Sequence, residues 1–417
     1  MQVFKFGGAS VNSIDRIHNV ANILQQYKQQ PLVIIISAMG KTTNALEEVV
    51  GAFYNNDLEK ALSLFNTLKQ QHVHLAKELL PQNFNSCLQQ LNDFFTEIEW
   101  LLHDKPVRSY DYYYDQVVCV GELLSTCIIS HFLNTKGINN NWVDVRDIIL
   151  TDNNFRDANV DWTSTSAKVH QYINKAGITL TQGFIGATDE MESTTLGREG
   201  SDYTAAIFAN ILQAQSLTIW KDVDAVMSAD PNAFKDATPL ESLSYSEVIE
   251  MAYYGAQIIH PKTIKPLYNA GIPLYVKSFI NPALPGTVIH NTINKSLPPI
   301  IVFKTHQALM HLSSNDFSFV GEAPMIELYK ILDALNIRPN LIQTGAISVQ
   351  LCLDDKPEKL DALALRAGAL FNVHMEKGLE LLTIRHYTNE VFNKHASGKK
   401  IILQQQTTET IQAVFKN

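Results

Sequence analysis

The chain has 417 residues, 46% of them hydrophobic and 18% charged, with a formal net charge of −9. Two or three domains are expected at roughly 100–200 residues each, and the composition is ordinary for a globular protein. The acidic balance argues against nucleic acid as the main partner, so an anionic ligand must be held by local positive groups. The four cysteines, Cys87, Cys119, Cys127 and Cys352, form no Cys-x-x-Cys pair and match no zinc ribbon. They read as buried free thiols in a reducing compartment, with no metal assigned. No basic-then-apolar leader precedes Val3, and no apolar run approaches the ~20 residues that cross a bilayer. The expectation is a cytoplasmic protein without a membrane partner.

Val3-Phe-Lys-Phe6 alternates as a strand and ends in Gly7-Gly8. Apolar residues at Val11, Ile14, Ile17, Val20, Ala21 and Leu24 have helical spacing, and Pro31 stops the run. Leu32–Ile36 is wholly apolar and reads as a central strand buried on both faces. Ser37–Asn44 is a second strand-to-helix turn, so the order strand, helix, strand predicts a parallel α/β sheet with right-handed crossovers. Residues 45–104 are helical in pattern, with breaks at Asn55, Pro81 and Asn83, and a further helix starts within Gln116–Ser125. Strands are expected at 141–145, 179–186, 216–220 and 273–277, with a helix from about Ser246 and a turn at 255–261. Two Pro- and Asn-rich stretches, 281–286 and 291–299, mark the boundary between domains 1–296 and 297–417. The tail then reads βαββαβ, the ferredoxin-like order, from Ala308 to Met375. Leu379–His386, a short helix and two strands (400–405 and 410–415) follow it.

The paired glycines remove side chains where backbone N–H groups could approach an anion, and Lys5 sets a positive charge beside them. Leu196-Gly-Arg-Glu-Gly-Ser-Asp-Tyr-Thr-Ala-Ala206 is a second polar turn entering a helix, whose N-terminus adds oriented N–H groups. Two such turns facing each other make a polyphosphate cradle and predict a small-molecule kinase. Gly40-Lys41-Thr42 is not a P-loop, because Ile35 stands where the first glycine is needed. Ser37, Thr43 and Asn44 still offer polar partners at a strand's carboxyl end, or plain helix caps. Glu122 lies in an apolar stretch: it either faces solvent, or faces inward and calls for a cationic ligand group. Arg198 can fork onto a carboxylate, and Asp202 can orient Lys5 or hold a metal-bound phosphate; the plainer alternative is a charged surface loop. Asp222, Asp224 and Asp230 lack the pattern of a calcium loop. His260-Pro261 reads as structural, and His72 and His74 lie on different helix faces.

Taken together, these stretches resemble the aspartokinase family. Lys5–Ser10, Ser37–Asn44, Gly121–Ser125, Thr194–Ala205, Trp220–Asp224, Ala229–Pro231 and Tyr254–Pro261 stand in the family's order, and the likeness covers about residues 1–290. The resemblance implies an amino-acid-kinase fold, a parallel-sheet sandwich, followed by an ACT-type regulatory region. It implies ATP- and Mg²⁺-dependent phosphorylation of the β-carboxylate of L-aspartate, the entry to lysine, threonine and methionine synthesis. By motif position, Lys5, Gly8 and Asp202 would be catalytic. Ser37, Thr43, Glu122, Arg198 and Ser201 would hold aspartate. Gly7, Lys221, Asp222, Met227 and Gln257 would fall in the nucleotide region. Glu199 replaces a usual glycine, Asn232 a common arginine, Gln257 a frequent lysine and Ala9 a common threonine. The tail looks like one complete ACT-type module, which makes lysine or threonine an expected effector and a homodimer or larger homo-oligomer the expected assembly. Glutamate kinase and a catalytically silent amino-acid sensor are the alternatives.

Overall fold

The computed structural model describes every residue except Gln257, Ile293, Asn294, Lys295 and Asn417. The chain forms two compact units. The first comprises Met1–Val226, Pro239–Ile249 and Gln257–Asn294, and the second comprises Met227–Thr238, Glu250–Ala256 and Lys295–Asn417. The division is therefore not a single cut: two short excursions of the N-terminal part belong to the second unit.

The first unit holds strands β1 (Gln2–Phe6), β2 (Leu32–Ile36), β3 (Asn141–Trp142), β4 (Ile178–Gln182), β5 (Ile185–Ala187), β6 (Ser193–Thr195), β7 (Leu217–Lys221), β8 (Ser242–Ser244), β9 (Leu274–Ser278) and β10 (Thr287–His290). Eight of them form one sheet in the order β3-β4-β2-β1-β7-β9-β10-β8. Every pairing in it is parallel except β9 with β10. β2 sits centrally and all five of its residues are buried, as its apolar, β-branched run predicts.

Helices α1 (Ile14–Gln25), α2 (Thr42–Tyr54), α3 (Leu58–Leu79), α4 (Phe84–His103), α5 (Tyr110–Val118), α6 (Val120–Thr135), α7 (Trp162–Tyr172), α8 (Gly200–Ile211), α9 (Tyr245–Tyr254) and α10 (Pro261–Ala270) complete the list of long helices before residue 294. α1 starts later than its apolar spacing suggests. A 3₁₀ turn occupies Gly8–Val11, and Ser13 caps α1 by accepting from the Arg16 N–H. Asp57 caps α3 in the same way, through the Lys60 N–H. α5 and α6 together span Tyr110–Thr135, long and apolar enough by length and composition to cross a membrane, contrary to the sequence-based reading. However, 89% of the apolar window is buried in protein, so the pair is a core element.

The strand expected at 179–186 splits in two. Gly183 ends β4, Phe184 takes φ +72°, and β5 then pairs antiparallel with β6. A side chain at Gly183 would meet Ser201 Cβ at 2.5 Å, so the glycine admits the start of α8 against the sheet.

The second unit contains β11 (Ile300–Ser314), α11 (Glu322–Ala334), β12 (Leu341–Thr344), β13 (Ser348–Asp354), α12 (Pro357–Ala367), β14 (Phe371–Arg385), α13 (Asn389–Ala396), β15 (Lys400–Gln406) and β16 (Thr410–Lys416). Its sheet runs β12-β13-β11-β14-β16-β15. The βαββαβ order is present, but β11 and β14 are longer than expected, 15 residues each. One stretch of these strands packs with α11 and α12 around Met310, Leu328, Leu351 and Leu363. The other carries a second core, Leu382, Ile384, Phe392 and Phe415, with α13 supplying Phe392.

Candidate active site

β1, β2 and β7 lie side by side and end at the same edge of the sheet: Lys5 pairs with Ile35 and Ile219, and Phe6 with Ile36 and Trp220. In open parallel sheets with helices on both faces, ligands bind at the carboxyl ends of such strands. Here the turns after β1 and β2 are locked together. Gly40 N–H donates to Gly8 C=O at 3.1 Å. A Cβ on Gly8 would stand 2.6 Å from Ala38 C=O. Gly8 is thus required by backbone close approach, whereas Gly7 would only make ordinary contact with Lys5 Nζ.

A cavity of about 470 Å³ opens at this edge, lined by residues from seven separate stretches. It gathers Lys5, Gly8, Ser37, Thr43, Glu122, Arg198, Ser201 and Asp202, eight of the thirteen residues predicted for the site. α2 and α8 both present N-terminal residues to it, Thr43 and Gly200–Asp202, so two sets of N–H groups and two positive dipole ends face one space. A neighbouring cavity of about 440 Å³ shares Gly40, but its only charged lining group is Lys41.

The charges within the site are arranged by burial. Lys5 Nζ and Asp202 Oδ1 form an ion pair at 2.6 Å, nearly out of solvent. Glu122 is buried on α6; one carboxylate oxygen accepts from the Ala38 N–H at 3.3 Å and the other has no hydrogen-bond partner. Burial pushes its carboxyl up to about 8, although the Ala38 N–H and the Lys5 charge both oppose the rise. Gly121 makes this placement possible: a Cβ there would lie 3.1 Å from Thr42 Cγ2 and 3.2 Å from Ala38 Cβ. Glu122 therefore faces inward, which settles the alternatives that the sequence left open. Arg198 is exposed, lines the same cavity and makes no ion pair among the described residues.

Glu199 takes φ +54°, which explains why a glycine is usual there. It also lines the cavity, and its carboxylate is engaged by the His260 N–H, from which it accepts at 2.8 Å. His260 is structural, as expected: its ring caps α10 through the Lys262 N–H.

The other nucleotide-region residues are placed less centrally. Gly7, Lys221 and Asp222 do not line the cavity. Lys221 ends β7, and its ammonium donates to Ile258 C=O. Asp222 is exposed, Met227 belongs to the second unit, and Gln257 lies outside the described residues. Sequence reasoning missed Tyr114, Arg156, Phe184, Thr195 and Gly197, which also line the cavity. Arg156 has φ +71° and lies over the Tyr114 ring at 4.2 Å. Buried Asp115 holds this side together, accepting from the Arg156 N–H at 3.0 Å and from Thr195 N–H and hydroxyl at 2.8 and 2.7 Å. Its signal in the sequence is faint: an acid directly after the Tyr-rich run 110–114 and just before the stretch where a helix start is expected.

Residues 1–278, which hold this sheet, the paired turns and the two helix N-termini, match the model of the amino acid kinase family. The chain belongs to that family. Several of its relatives are named as aspartokinases, some of them joined to a homoserine dehydrogenase. The chain is 32% identical to the protein named aspartokinase 1, chloroplastic, of Arabidopsis thaliana, over 86% of this chain and 64% of that protein. It is 30% identical to aspartokinase 3, chloroplastic, of the same plant, over 92% of this chain and 70% of that one. The first of these is thus substantially longer than the region matched. Escherichia coli aspartokinase III in complex with aspartate and ADP (R-state) superposes with a TM-score of 0.83 at 25% identity, covering 100% of this chain and 96% of that one. The same enzyme in complex with lysine and aspartate (T-state) gives 0.80 at 26% identity, covering 99% and 95%.

Proposed function

We propose that the chain is an aspartate kinase, transferring the γ-phosphoryl group of ATP to the β-carboxylate of L-aspartate to give 4-phospho-L-aspartate and ADP. The observation that carries this reading is Glu122: a buried carboxylate with one oxygen unpartnered, lining a cavity that also holds the unpaired Arg198. An inward acid next to an anion cradle makes sense when the acceptor carries an ammonium group. A free α-amino acid has one; acetylated amino acids and nucleoside monophosphates do not. The relatives' names and the aspartate- and ADP-bound neighbour favour aspartate over glutamate and over a silent sensor.

In this reading Glu122 takes the ammonium, and Arg198 forks onto a carboxylate. Ser37, Thr43 and Ser201 complete the acceptor's hydrogen bonds. The acceptor carboxylate is already ionised, so no general base is needed: one of its oxygens attacks the γ-phosphorus as the bond to ADP breaks. Lys5, oriented by Asp202, neutralises charge gathering on the transferring group, and the Gly8 turn with the α8 N-terminus supplies N–H donors. Gly7, Lys221, Asp222, Met227 and Gln257 are assigned to the nucleotide. The cradle fits a polyphosphate, and since Asp202 is held by Lys5, no carboxylate set for a protein-held cation converges there among the described residues. Mg²⁺ would therefore ride on the phosphates and supply charge neutralisation. The first domain is read as catalytic and the second as an ACT-type regulatory domain taking lysine or threonine. The enzyme is read as cytoplasmic and homo-oligomeric, serving lysine, threonine and methionine synthesis.

The decisive experiment is ATP-dependent hydroxamate formation with L-aspartate and L-glutamate, each at saturation. Turnover with aspartate at least tenfold above glutamate is expected. Turnover with glutamate alone, or with neither acid, would overturn the assignment.

A further inference from the structure

Away from the cavity, helices α4 and α6 pack against each other and bring together three metal-ligating side chains that the proposed reaction does not use. Cys127 and His131 stand four apart on α6, one above the other on a single face. Cys87 comes from α4. The two sulfurs and an imidazole nitrogen all lie within 4.8 Å of one another.

We propose that Cys87, Cys127 and His131 form a binding site for a thiophilic metal ion, zinc(II), that staples α4 to α6. The donor set is two sulfurs and one imidazole, the borderline-soft combination that zinc favours over magnesium or calcium. Zinc bonds of about 2.3 Å to sulfur and 2.0–2.1 Å to nitrogen put tetrahedral donors roughly 3.5–3.8 Å apart. The cluster needs to contract by only about 1 Å to meet them. Both cysteines are fully buried, while His131 is half-buried and offers the way in from solvent. Gln90 stands three residues after Cys87 on α4, and its Oε1 lies 3.2 Å from His131 Nε2. A polar partner of this kind orients a metal-bound ring, and a water molecule would fill the fourth position. Sequence spacing could not show the site, because Cys87 and Cys127 lie forty residues apart.

The staple would act on the element that carries Glu122, five residues before Cys127 on α6. Zinc should therefore raise thermal stability without touching the reacting groups.

The test uses the full chain, reduced and stripped by chelator, then supplied with zinc(II) or cobalt(II). Mass spectrometry of retained metal should give one zinc per chain after desalting, and the cobalt form should show sulfur-to-metal charge-transfer absorption. Cys127→Ser and His131→Ala should weaken zinc binding at least tenfold, while Cys119→Ser should not. Should the α6 variants fail to fold, the cobalt spectrum of the parent chain still decides. No retained zinc, a cobalt spectrum without the sulfur band, or equal binding by Cys127→Ser would overturn the proposal, as would formation of a Cys87–Cys127 disulfide in place of metal uptake.

Discussion

Glu122 is the residue whose environment is most at odds with its chemistry. Burial pushes its carboxyl up to about 8 in the folded chain, against about 4.5 for an ordinary glutamate. A raised carboxyl stabilises the fold below its unfolded value, and that contribution is lost as pH rises from about 4.5 through 8. Glu122→Gln should therefore flatten the decline of melting temperature across this window. Binding of an ammonium should ionise Glu122, so aspartate binding near pH 7 should release close to one proton per site. Calorimetry in buffers of different ionisation enthalpy measures this, and a null result would remove Glu122 from the ammonium's path. Lys5→Ala should abolish turnover with only a modest loss of ATP affinity. It should also cost about 3–5 kcal/mol of stability, because it leaves Asp202 buried without its partner; near-normal kcat would contradict the role. Gly8→Ala places a methyl 2.6 Å from a carbonyl oxygen that cannot move independently. A loss of roughly 1–3 kcal/mol is expected, read from denaturant melts, together with a drop in kcat. The charged members of this site were legible because their residue types are expensive to bury. Arg156 and Asp115 were not, since their roles arise from a left-handed backbone turn and from partners up to eighty residues away.

The elements follow their sequence signals where those signals are long. β2, α3 and α4 are close to their expected places, with breaks at the Asn- and Pro-bearing joints. β6 and β8 are three residues each, too short for any alternation to register, and they exist because neighbouring backbone offers a ladder. The most consequential contact between elements is that of α6 with the turn leading into α2. Gly121 is hemmed in by Thr42, Ala38 and Leu46 side chains at 3.1–3.2 Å, tight enough that a methyl forces adjustment. Gly121→Ala should shift α6 and carry Glu122 with it. The expected signature is a severalfold rise in the aspartate KM with a smaller change in the ATP KM. Equal changes in both would show a general loosening instead.

At the scale of the whole molecule, the chain order of the tail was legible from its periodicities, but the length of its two central strands was not. The sequence reads a strand ending at Met375 and a separate piece, Leu379–His386, yet β14 runs through both from Phe371 to Arg385. What holds it together is pairing with β11 along its length, joined from Leu379 on by β16 on the other side. If this unit takes an amino-acid effector, titrating lysine and threonine separately into the assay should lower activity with one and not the other. Inhibition by neither would leave the regulatory reading without support.

Because β11 and β14 each run from one cluster of apolar side chains into another, the tail resembles two rooms built on common joists. Neither room can be dismantled while the other stands, since the same continuous backbone floors both. Deuterium uptake along β11 should therefore proceed as one slow event, with amides before and after the irregularity at Lys304–Leu309 exchanging together.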